Sequence, residues 1–394
     1  MHMLALEQSL KAGGHEVAVF AMQHPENQPS PWQQYWPENV EYGARLGLAA
    51  SAKAAVRTTY SWSVAERLQR LLSEFRPDVA HLHSVHHHLT VSVVDALWRA
   101  GVPAVWTLHD YRVVCPATHL LRDNRPCTLC AGGLYWHCIM HSCKGASRMR
   151  SLSASVESYL NSSRGVYRHR VASFVAPSEF LARTVIRMGI PDSKVTVIPN
   201  PLEATEWTRA ATVARHGALY VGRLSKEKGL DCLLRAHARA GLGGLRIIGD
   251  GPDGDRLRKL AVSLGTAVRF DRWLDRNAVR EALNSSAVMC VPSVWYENCP
   301  TVVLEAFAMR TPVIASSLGG LTELLDDGRC GWLVPPGDEQ AWANALRAAL
   351  SEPAALAEKV AAGTMRVLER HDPARYMRRL EAVYAAAFSS GGRS

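Results

Sequence analysis

The chain has 394 residues, 47% of them hydrophobic and 21% charged, a balance that excludes wholesale disorder, a collagen-like chain and a small disulfide-stapled scaffold. No run of about 18 apolar residues occurs without a charge or a breaking residue, so no membrane-spanning helix is expected, and the length predicts two or three domains of roughly 150 residues. The net charge of +9 favours anionic partners (nucleic acid, phosphorylated small molecules or an acidic membrane face), although a solvated arginine-rich surface explains it as well.

The first half of the chain alternates short apolar runs with helical patterns. It opens as an amphipathic helix ending at Gly13-Gly14 and lacks the features of a secretory signal, so the cytoplasm is the expected compartment. A doubly wound phosphate-binding domain usually begins with a strand and a glycine-rich turn, so the first strand is predicted to be missing. Strands are predicted at Val17–Phe20, Asp78–His83, Val102–Leu108, Ser173–Ala176 and Lys194–Ile198, and helices at Ser63–Glu74 and Ser178–Met188.

The second half continues this alternation. Strands are predicted at Ala218–Val221, Leu245–Ile248, Val268–Phe270, Val288–Val291, Pro312–Ala315 and Gly331–Val334. Helices are predicted at Leu230–Ala240, Asp253–Leu264, Asn277–Asn284, Thr301–Met309, Gly320–Leu325, Asp338–Leu350 and Pro373–Phe388. Nearly continuous apolar strands alternating with helices indicate parallel sheets covered on both faces. We therefore predict an α/β protein with two facing, Rossmann-like, doubly wound domains.

One motif runs from Val291 to Ala306, where a buried strand ends, a loop follows and a helix starts near Pro300. Glu297 lies in the loop, and Glu305 lies about one and a half turns into the helix. The loop amides and the positive helix end favour an anion, and two carboxylates beside it could accept hydrogen bonds from sugar hydroxyls. A capping Glu297 and a helix-surface Glu305 explain the same spacing.

A second motif, from Tyr220 to Gly229, follows the first strand of the second half. Arg223 and Lys228 on this turn could hold a diphosphate and neutralise a departing phosphate. The turn that starts at Gly249 fits either a tight connection or a loop that binds a nucleotide base. Exposed Lys/Arg turns are common, so neither turn is specific by itself.

Histidines follow two strands of the first half. His109 stands at the carboxyl end of its strand, the edge where open α/β sheets bind ligands, although a structural histidine fits that position too. His81, His83 and His86-His87-His88 form a denser group. No carboxylate or cysteine stands at a ligand-like spacing from them, so a metal site is the less favoured interpretation.

Nine cysteines, an odd number, include a group between residues 115 and 143. Cys127 and Cys130 have the separation of half a zinc site, which Cys115 with Cys143 or Cys138 could complete. A structural zinc held by Cys115, Cys127, Cys130 and Cys143 is one hypothesis and unpaired thiols are another. A disulfide is less favoured in a reducing compartment.

Taken together, the motifs resemble the retaining, GT-B-fold glycosyltransferases of the family 4 class (glycosyl transferases group 1). The paired glutamates eight positions apart, with Gly222-Arg223 upstream and Gly319-Gly320 downstream, carry the resemblance as a set. Matching stretches run in family order over nearly the whole chain and include Pro77–Ser84, Thr107–Pro116, Gly222–Gly229, Ile248–Pro252 and Glu297–Ala306.

The resemblance implies transfer of a sugar from a nucleotide diphosphate sugar to a hydroxyl acceptor, with retention of anomeric configuration and no metal required for chemistry. Arg223 and Lys228 would hold the diphosphate. Glu297 would bind the donor sugar and Glu305 the ribose, while His109 would lie across the cleft beside the transferred sugar. The other donor-binding positions would be Asn298, Cys299, Pro300, Thr301, Gly222 and Gly249.

The two series of elements join between Pro199 and Ala214, and the resemblance implies a role for each resulting domain. Residues 1–203 would form the acceptor-side domain with a cysteine-rich insert at 115–143, residues 204–372 the nucleotide-sugar domain, and residues 373–394 a helix crossing back to the first domain. Two departures stand out: the family's first strand and glycine-rich loop are absent before Met1, and Arg310 occupies a position usually held by glycine.

Three functions follow from these observations. The first is a glycosyltransferase of cell-surface polysaccharide, glycolipid or natural-product assembly, loosely attached to an anionic membrane face if its acceptor is lipid-linked. The second is a non-catalytic sugar-nucleotide-binding protein. The third is a zinc-bearing nucleic-acid binder, which the absence of a long Lys/Arg run or an RNP-like motif disfavours.

Overall fold

The computed structural model describes residues 2–39, 59–86, 88–207, 214–351 and 353–391. In its first part the helices are α1 (His2–Ala12), α2 (Trp62–Phe75), α3 (Ser92–Arg99), α4 (Trp136–Met140), α5 (Arg148–Ser163) and α6 (Glu179–Arg187). The strands are β1 (Ala80–His83), β2 (Ala104–Thr107), β3 (Leu121–Arg122), β4 (Arg125–Pro126), β5 (Ser173–Ala176) and β6 (Val195–Val197). A parallel sheet has the order β1-β2-β5-β6, whereas β3 and β4 form a short antiparallel hairpin.

The second part carries a larger parallel sheet. Its strands are β7 (Ala218–Val221), β8 (Leu245–Ile248), β9 (Val268–Asp271), β10 (Val288–Val291), β11 (Val313–Ser316) and β12 (Trp332–Val334). They pair in the order β12-β11-β10-β7-β8-β9. The helices are α7 (Leu230–Ala240), α8 (Gly254–Ser263), α9 (Arg276–Ser285), α10 (Thr301–Ala308), α11 (Gly320–Leu324), α12 (Glu339–Ser351) and α13 (Pro353–Arg370), followed by α14 (Pro373–Gly391).

Apolar burial explains why these strands form sheet interiors. β2, β10 and β11 are buried along their whole length, as expected of parallel strands covered by helices on both faces. Helices cover the second sheet in the same way, and the Trp342 side chain of α12 is fully buried against it. The predicted α/β fold with two doubly wound, Rossmann-like sheets is therefore confirmed.

The last helix, α14, packs against the first sheet. Tyr376 and Leu380 share an apolar cluster with Val105 and Val175 of that sheet. The Arg379 guanidinium donates to the Val197 carbonyl oxygen over 2.6 Å. The far end of the chain thus stabilises the first sheet.

Most predicted elements occur within one or two residues of their expected limits. The strand predicted at Val17–Phe20 is wrong: among the described residues, this segment pairs with no strand, because an apolar run becomes a strand only where a neighbouring backbone completes its hydrogen bonds. Arg310, at a position where the resemblance implies glycine, takes a φ of 54°, the left-handed conformation that commonly ends a helix. In the described ranges, no helix has the length and hydropathy needed to cross a membrane.

Candidate functional site

The strand order of the second sheet reverses between β10 and β7, which opens a crevice at their carboxyl ends, the place where open α/β sheets bind ligands. The turns after β7 and β8 border this crevice. Gly222 (φ 156°) and Gly249 (φ 144°) take backbone conformations that side chains disfavour. A Cβ on Gly249 would lie 1.9 Å from the Gly222 carbonyl oxygen, so the two turns can approach this closely only because residue 249 is glycine.

A buried ion pair joins the two motifs of the second half. Lys228 Nζ lies 2.7 Å from Glu297 Oε1, and the Ser293 hydroxyl donates to the same carboxylate oxygen over 2.7 Å. The Glu297 side chain is only 9% exposed, and a carboxylate is tolerated there because both groups donate to it. An ammonium has three N–H donors, so Lys228 can hold Glu297 and a phosphate oxygen together.

Aromatic side chains border this ion pair. The Lys228 ammonium lies 4.9 Å from the centre of the Trp295 ring, a cation–π contact. Burial raises the pKa values of Tyr111 and Tyr220, and the negative charge of Glu297 raises them further. The Tyr220 hydroxyl donates to the Arg223 carbonyl oxygen over 2.9 Å and so holds the turn that carries Arg223.

Close backbone contacts fix the loop that carries Glu297. The Gly320 amide donates to the Glu297 carbonyl oxygen over 2.7 Å, and a Cβ on Gly320 would lie 1.9 Å from the Asn298 carbonyl oxygen. On the other side, a Cβ on Gly229 would lie 2.0 Å from the Pro292 carbonyl oxygen. Glycines of two distant motifs therefore let their turns approach this loop closely.

Glu305 lies half-buried on α10, which follows the same loop. Burial raises the pKa of Glu305 to about 7, an effect that Arg276 partly offsets. Pro300 stands at the N-cap position of the helix and its side chain accepts no hydrogen bond. The backbone amides of the first turn, which begins at the exposed Thr301, are therefore not capped by that side chain. These amides and the Glu305 carboxylate suit a ligand that carries both an anion and hydroxyl groups.

A contact across the cleft joins the two sheets. Asn298 Nδ2 donates to the His109 carbonyl oxygen over 2.9 Å. His109 Nε2 lies 2.9 Å from His83 Nδ1, and the two rings stack with their centres 5.2 Å apart. Burial lowers the pKa of His109, with a partial offset from Asp110, which favours the neutral imidazole at physiological pH. The structure therefore places His109 of the first sheet beside the loop of Glu297.

A second cross-cleft contact involves Glu323 of α11. Its carboxylate accepts the backbone N–H of Glu179 over 3.1 Å and that of Phe180 over 2.9 Å, at the start of α6. The Phe180 ring also contacts that of Tyr296, with centres 4.8 Å apart. A carboxylate at a helix N-terminus is stabilising, so Glu323 links the two halves beside the site.

Two predicted site residues differ in their surroundings. Arg223 is exposed, and in the part of the chain that the structure describes no carboxylate lies within ion-pair distance of its guanidinium. Burial of the Cys299 thiol raises its pKa to about 12, and the Asn200 amide, which donates to the sulfur, offsets part of that rise. Arg223 is thus open to an incoming anion, whereas Cys299 stays a neutral thiol.

The cysteines between residues 115 and 143 are free thiols. Cys138 and Cys143 hydrogen-bond to each other, which lowers the pKa of Cys138 and raises that of Cys143. Within the described ranges, no three His, Cys, Asp or Glu side chains are arranged to hold a metal ion. The zinc at Cys115, Cys127, Cys130 and Cys143 therefore stays a prediction.

The histidines between residues 81 and 88 have different partners. His81 lies 2.7 Å from both Tyr384 Oη and Thr107 Oγ1, whereas His86 packs against the Trp106 ring. His87 lies outside the described residues. The metal interpretation gains no support from these positions.

Sequence reasoning assigned no role to three residues that the structure places at the site: Ser293, Trp295 and Glu323. Ser293 carries a recognisable signal, because it is a polar residue that follows a fully apolar strand at the carboxyl edge. Glu323 carries none, since its partners lie 143 and 144 positions away on another element.

Comparisons with known proteins agree with this architecture. The model of "Glycosyltransferase Family 4" matches residues 1–206, and that of "Glycosyl transferases group 1" matches residues 215–352. The chain is 28% identical to glycogen synthase of Mycobacterium tuberculosis over 98% of this chain and 90% of the relative. It is 27% identical to phosphatidyl-myo-inositol mannosyltransferase of Mycobacterium leprae over 100% and 94% of the two chains.

A solved structure shares the fold. HepE from Anabaena, in complex with UDP-glucose, superposes with a TM-score of 0.64 and 19% identity over 98% of this chain and 89% of that chain. The first family model alone spans more than half of the 394 residues. The chain is therefore a member of glycosyltransferase family 4.

Proposed function

We propose that this glycosyltransferase moves a sugar from a nucleotide diphosphate sugar to a hydroxyl acceptor, with retention of anomeric configuration. The observation that carries the proposal is the Lys228–Glu297 ion pair at the sheet crevice, opposite His109. A cation beside a hydroxyl-binding carboxylate suits a ligand whose phosphate and sugar are adjacent. A nucleotide diphosphate sugar has that chemistry.

The donor's charged part would occupy the crevice. The Arg223 guanidinium and the Lys228 ammonium would hold the diphosphate and stabilise the negative charge that grows as it leaves. Glu305 would accept hydrogen bonds from ribose hydroxyls, and the amides between Asn298 and Thr301 would bind the sugar and phosphates. The two side-chain cations supply the charge neutralisation, so we propose that the chemistry needs no metal ion.

The acceptor would enter from the side of the first sheet. Its hydroxyl oxygen bonds to the anomeric carbon on the face that the diphosphate leaves, while the bond from that carbon to the phosphate oxygen breaks. The electron pair stays on the diphosphate, and a phosphate oxygen takes the hydroxyl proton. Departure and attack on one face retain the anomeric configuration. The imidazole of His109 would hydrogen-bond the transferred sugar.

The relatives support the setting. HepE was solved with UDP-glucose, and two relatives are named for glycogen synthesis and for mannosyl transfer to phosphatidyl-myo-inositol. We propose that this chain acts in the assembly of a polysaccharide, glycolipid or glycosylated natural product, in the cytoplasm. The net charge of +9 suits loose attachment to an anionic membrane face that carries a lipid-linked acceptor.

A thermal-shift screen of nucleotide diphosphate sugars, followed by NMR of the products, tests the proposal. The expected result is stabilisation by one donor class and a product with the donor's anomeric configuration, lost in Glu297→Ala and kept in Lys226→Met. Donor binding without transfer or hydrolysis would instead support the non-catalytic alternative. Unaltered transfer by Glu297→Ala would refute the site assignment.

A further inference from the structure

Helix α5 in the first half has its apolar side turned outward. Its buried residues are small, polar or charged: Ser151, Ala154, Ser155, Glu157 and Asn161. Its outer face carries Met149, Leu152, Val156, Tyr159 and Leu160, and Met149 is 74% exposed. These positions repeat every three or four residues, so they form one continuous stripe along the helix. A helix of a water-exposed surface normally has the opposite arrangement.

The polar interior of α5 is satisfied by the protein itself. Glu157 pairs with Arg112, and both side chains are almost fully buried. The Ser155 hydroxyl donates to the Tyr135 carbonyl oxygen over 3.0 Å. These partners fix the orientation of α5 about its own axis. The apolar stripe therefore cannot turn inward without breaking the Glu157–Arg112 pair and leaving a charge unpaired.

The neighbouring helix α4 extends the stripe. The Trp136 amide donates to the Tyr159 hydroxyl over 3.1 Å, which places the two residues side by side. Trp136 is 46% and Met140 63% exposed, one turn apart on the same face of α4. Contiguous exposed apolar surface of this kind marks a binding face.

Charge indicates the kind of partner. From residue 124 to residue 178 the chain has seven lysines and arginines and a single acidic residue, the buried Glu157. Arg148 and Arg150 are exposed in the first turn of α5, which has no acidic residue. Cations at the positive end of a helix dipole are unfavourable unless an anion neutralises them.

We propose that the outer face of α5, continued by Trp136 and Met140, rests on an anionic lipid bilayer. Apolar side chains would enter the acyl boundary, the tryptophan would lie at headgroup level, and the arginines would contact lipid phosphates. An apolar stripe flanked by cations fits this partner better than a neutral protein face. A second copy of this chain, equally basic there, would repel its own arginines.

The position of α5 connects this face with the cleft. β2 and β5 are parallel, so the chain between them returns from the carboxyl edge of the sheet to its amino edge. α5 lies late in that connection, and its Glu157 pairs with Arg112, three residues after His109. The outer face of α5 therefore indicates which side of the protein faces a lipid-linked acceptor. This inference rests on the proposed function.

Sedimentation of the full chain with vesicles tests the proposal. Vesicles of phosphatidylglycerol mixed with phosphatidylcholine are compared with vesicles of phosphatidylcholine alone over a range of salt. The triple variant Met149→Gln, Leu152→Gln, Val156→Gln is expected to bind the anionic vesicles about tenfold more weakly. The matched control Val262→Gln, at an 82% exposed position on α8, should bind as the unaltered chain does.

A charge variant keeps the test decisive if the triple variant folds poorly. Arg148→Gln with Arg150→Gln, both at exposed positions, should weaken binding about tenfold and flatten its salt dependence. Unaltered vesicle binding by both variants overturns the proposal. So does self-association in sedimentation velocity that the triple variant abolishes, because the face would then belong to a second copy.

The donor screen separates this proposal from the proposed function. Thermal stabilisation by a nucleotide diphosphate sugar, measured without vesicles, should be the same in the triple variant and the unaltered chain. Donor binding without vesicle binding overturns the membrane face alone. Vesicle binding without donor binding overturns the proposed function alone.

Discussion

Lys228 Nζ and Glu297 Oε1 lie 2.7 Å apart although the residues are 69 positions apart in the chain. The pair joins the turn after β7 to the loop after β10, the two strands at which the sheet order reverses. A ligand in the crevice would meet the ammonium and the carboxylate together. Each residue is held by the other, so substitution of either one should disturb both stability and transfer.

Lys228→Met should lower transfer about 100-fold or more, because the ammonium that stabilises the negative charge of the departing diphosphate is lost. It should also lower the free energy of unfolding by about 1–3 kcal/mol, since Glu297 is left buried without its cation. Initial rates and urea unfolding measure the two effects. Lys226→Met, at an exposed position on the same turn, is the matched control. Equal effects of the two substitutions would argue against this role for Lys228.

Donor affinity should depend on the ionisation of Glu305, whose pKa burial raises to about 7. In the proposed role, the Glu305 carboxylate accepts hydrogen bonds from ribose hydroxyls and the protonated acid accepts them less well, so affinity should rise about tenfold as pH increases through 7. Glu305→Gln should flatten this profile. Isothermal titration of the donor between about pH 5.5 and about pH 8.5, roughly 1.5 pH units on each side of the midpoint, checks the prediction. A parallel profile in both proteins would exclude Glu305 as the titrating group.

The same group should affect stability with the opposite dependence on pH. Its folded-state pKa of about 7 exceeds the ordinary value of 4.5, so the folded protein binds this proton more tightly than the unfolded chain does. The free energy of unfolding should therefore decrease as pH rises from about 4.5 to about 7 and then level off. Denaturant unfolding of the unaltered chain and of Glu305→Gln isolates this contribution.

Glu323→Gln should loosen the contact between the two halves of the molecule. The carboxylate accepts two amides at the start of α6, and removal of its charge should cost about 1 kcal/mol. Small-angle scattering of the ligand-free protein should then show a larger radius of gyration. Asp327→Asn, an exposed position on the next turn, is the control. An unchanged radius would mean that other contacts hold the cleft.

Removal of metal ions should leave transfer unchanged, because Arg223 and Lys228 supply the positive charge at the proposed diphosphate site. Rates before and after treatment with a chelator measure this, and Arg223→Met should lower the rate in both conditions. Loss of transfer that magnesium restores would contradict the proposal. Elemental analysis of the untreated protein reports separately on the zinc predicted for the cysteine-rich insert.

Gly249→Ala should destabilise the second sheet by about 1–3 kcal/mol. The added Cβ would lie 1.9 Å from the Gly222 carbonyl oxygen, at a φ of 144°. Gly243→Ala is the control, because a Cβ there meets no atom within 4 Å. Thermal unfolding of both variants compares the two positions. Similar melting temperatures would show that the turns after β7 and β8 can separate without loss of stability.

Local patterns in the sequence were sufficient for much of the fold. Val288–Val291 and Leu245–Ile248 have the predicted limits, because a short apolar run between turn residues has few other ways to bury itself. The strand order of the second sheet is that of a doubly wound domain. The strand predicted at Val17–Phe20 was wrong, because a strand also needs a neighbouring backbone to pair with. No local sequence pattern shows whether that partner is present.

The sequence by itself determined the parallel α/β sheets and the glycines that let their turns approach one another, because burial periodicity and backbone freedom are local properties. Only the tertiary structure decided that Asn298 contacts His109, 189 positions away, and that Glu323 caps α6. It also decided that α5 turns its apolar side outward. Periodicity shows which residues share a face of a helix, but which face is covered depends on the elements that pack against it.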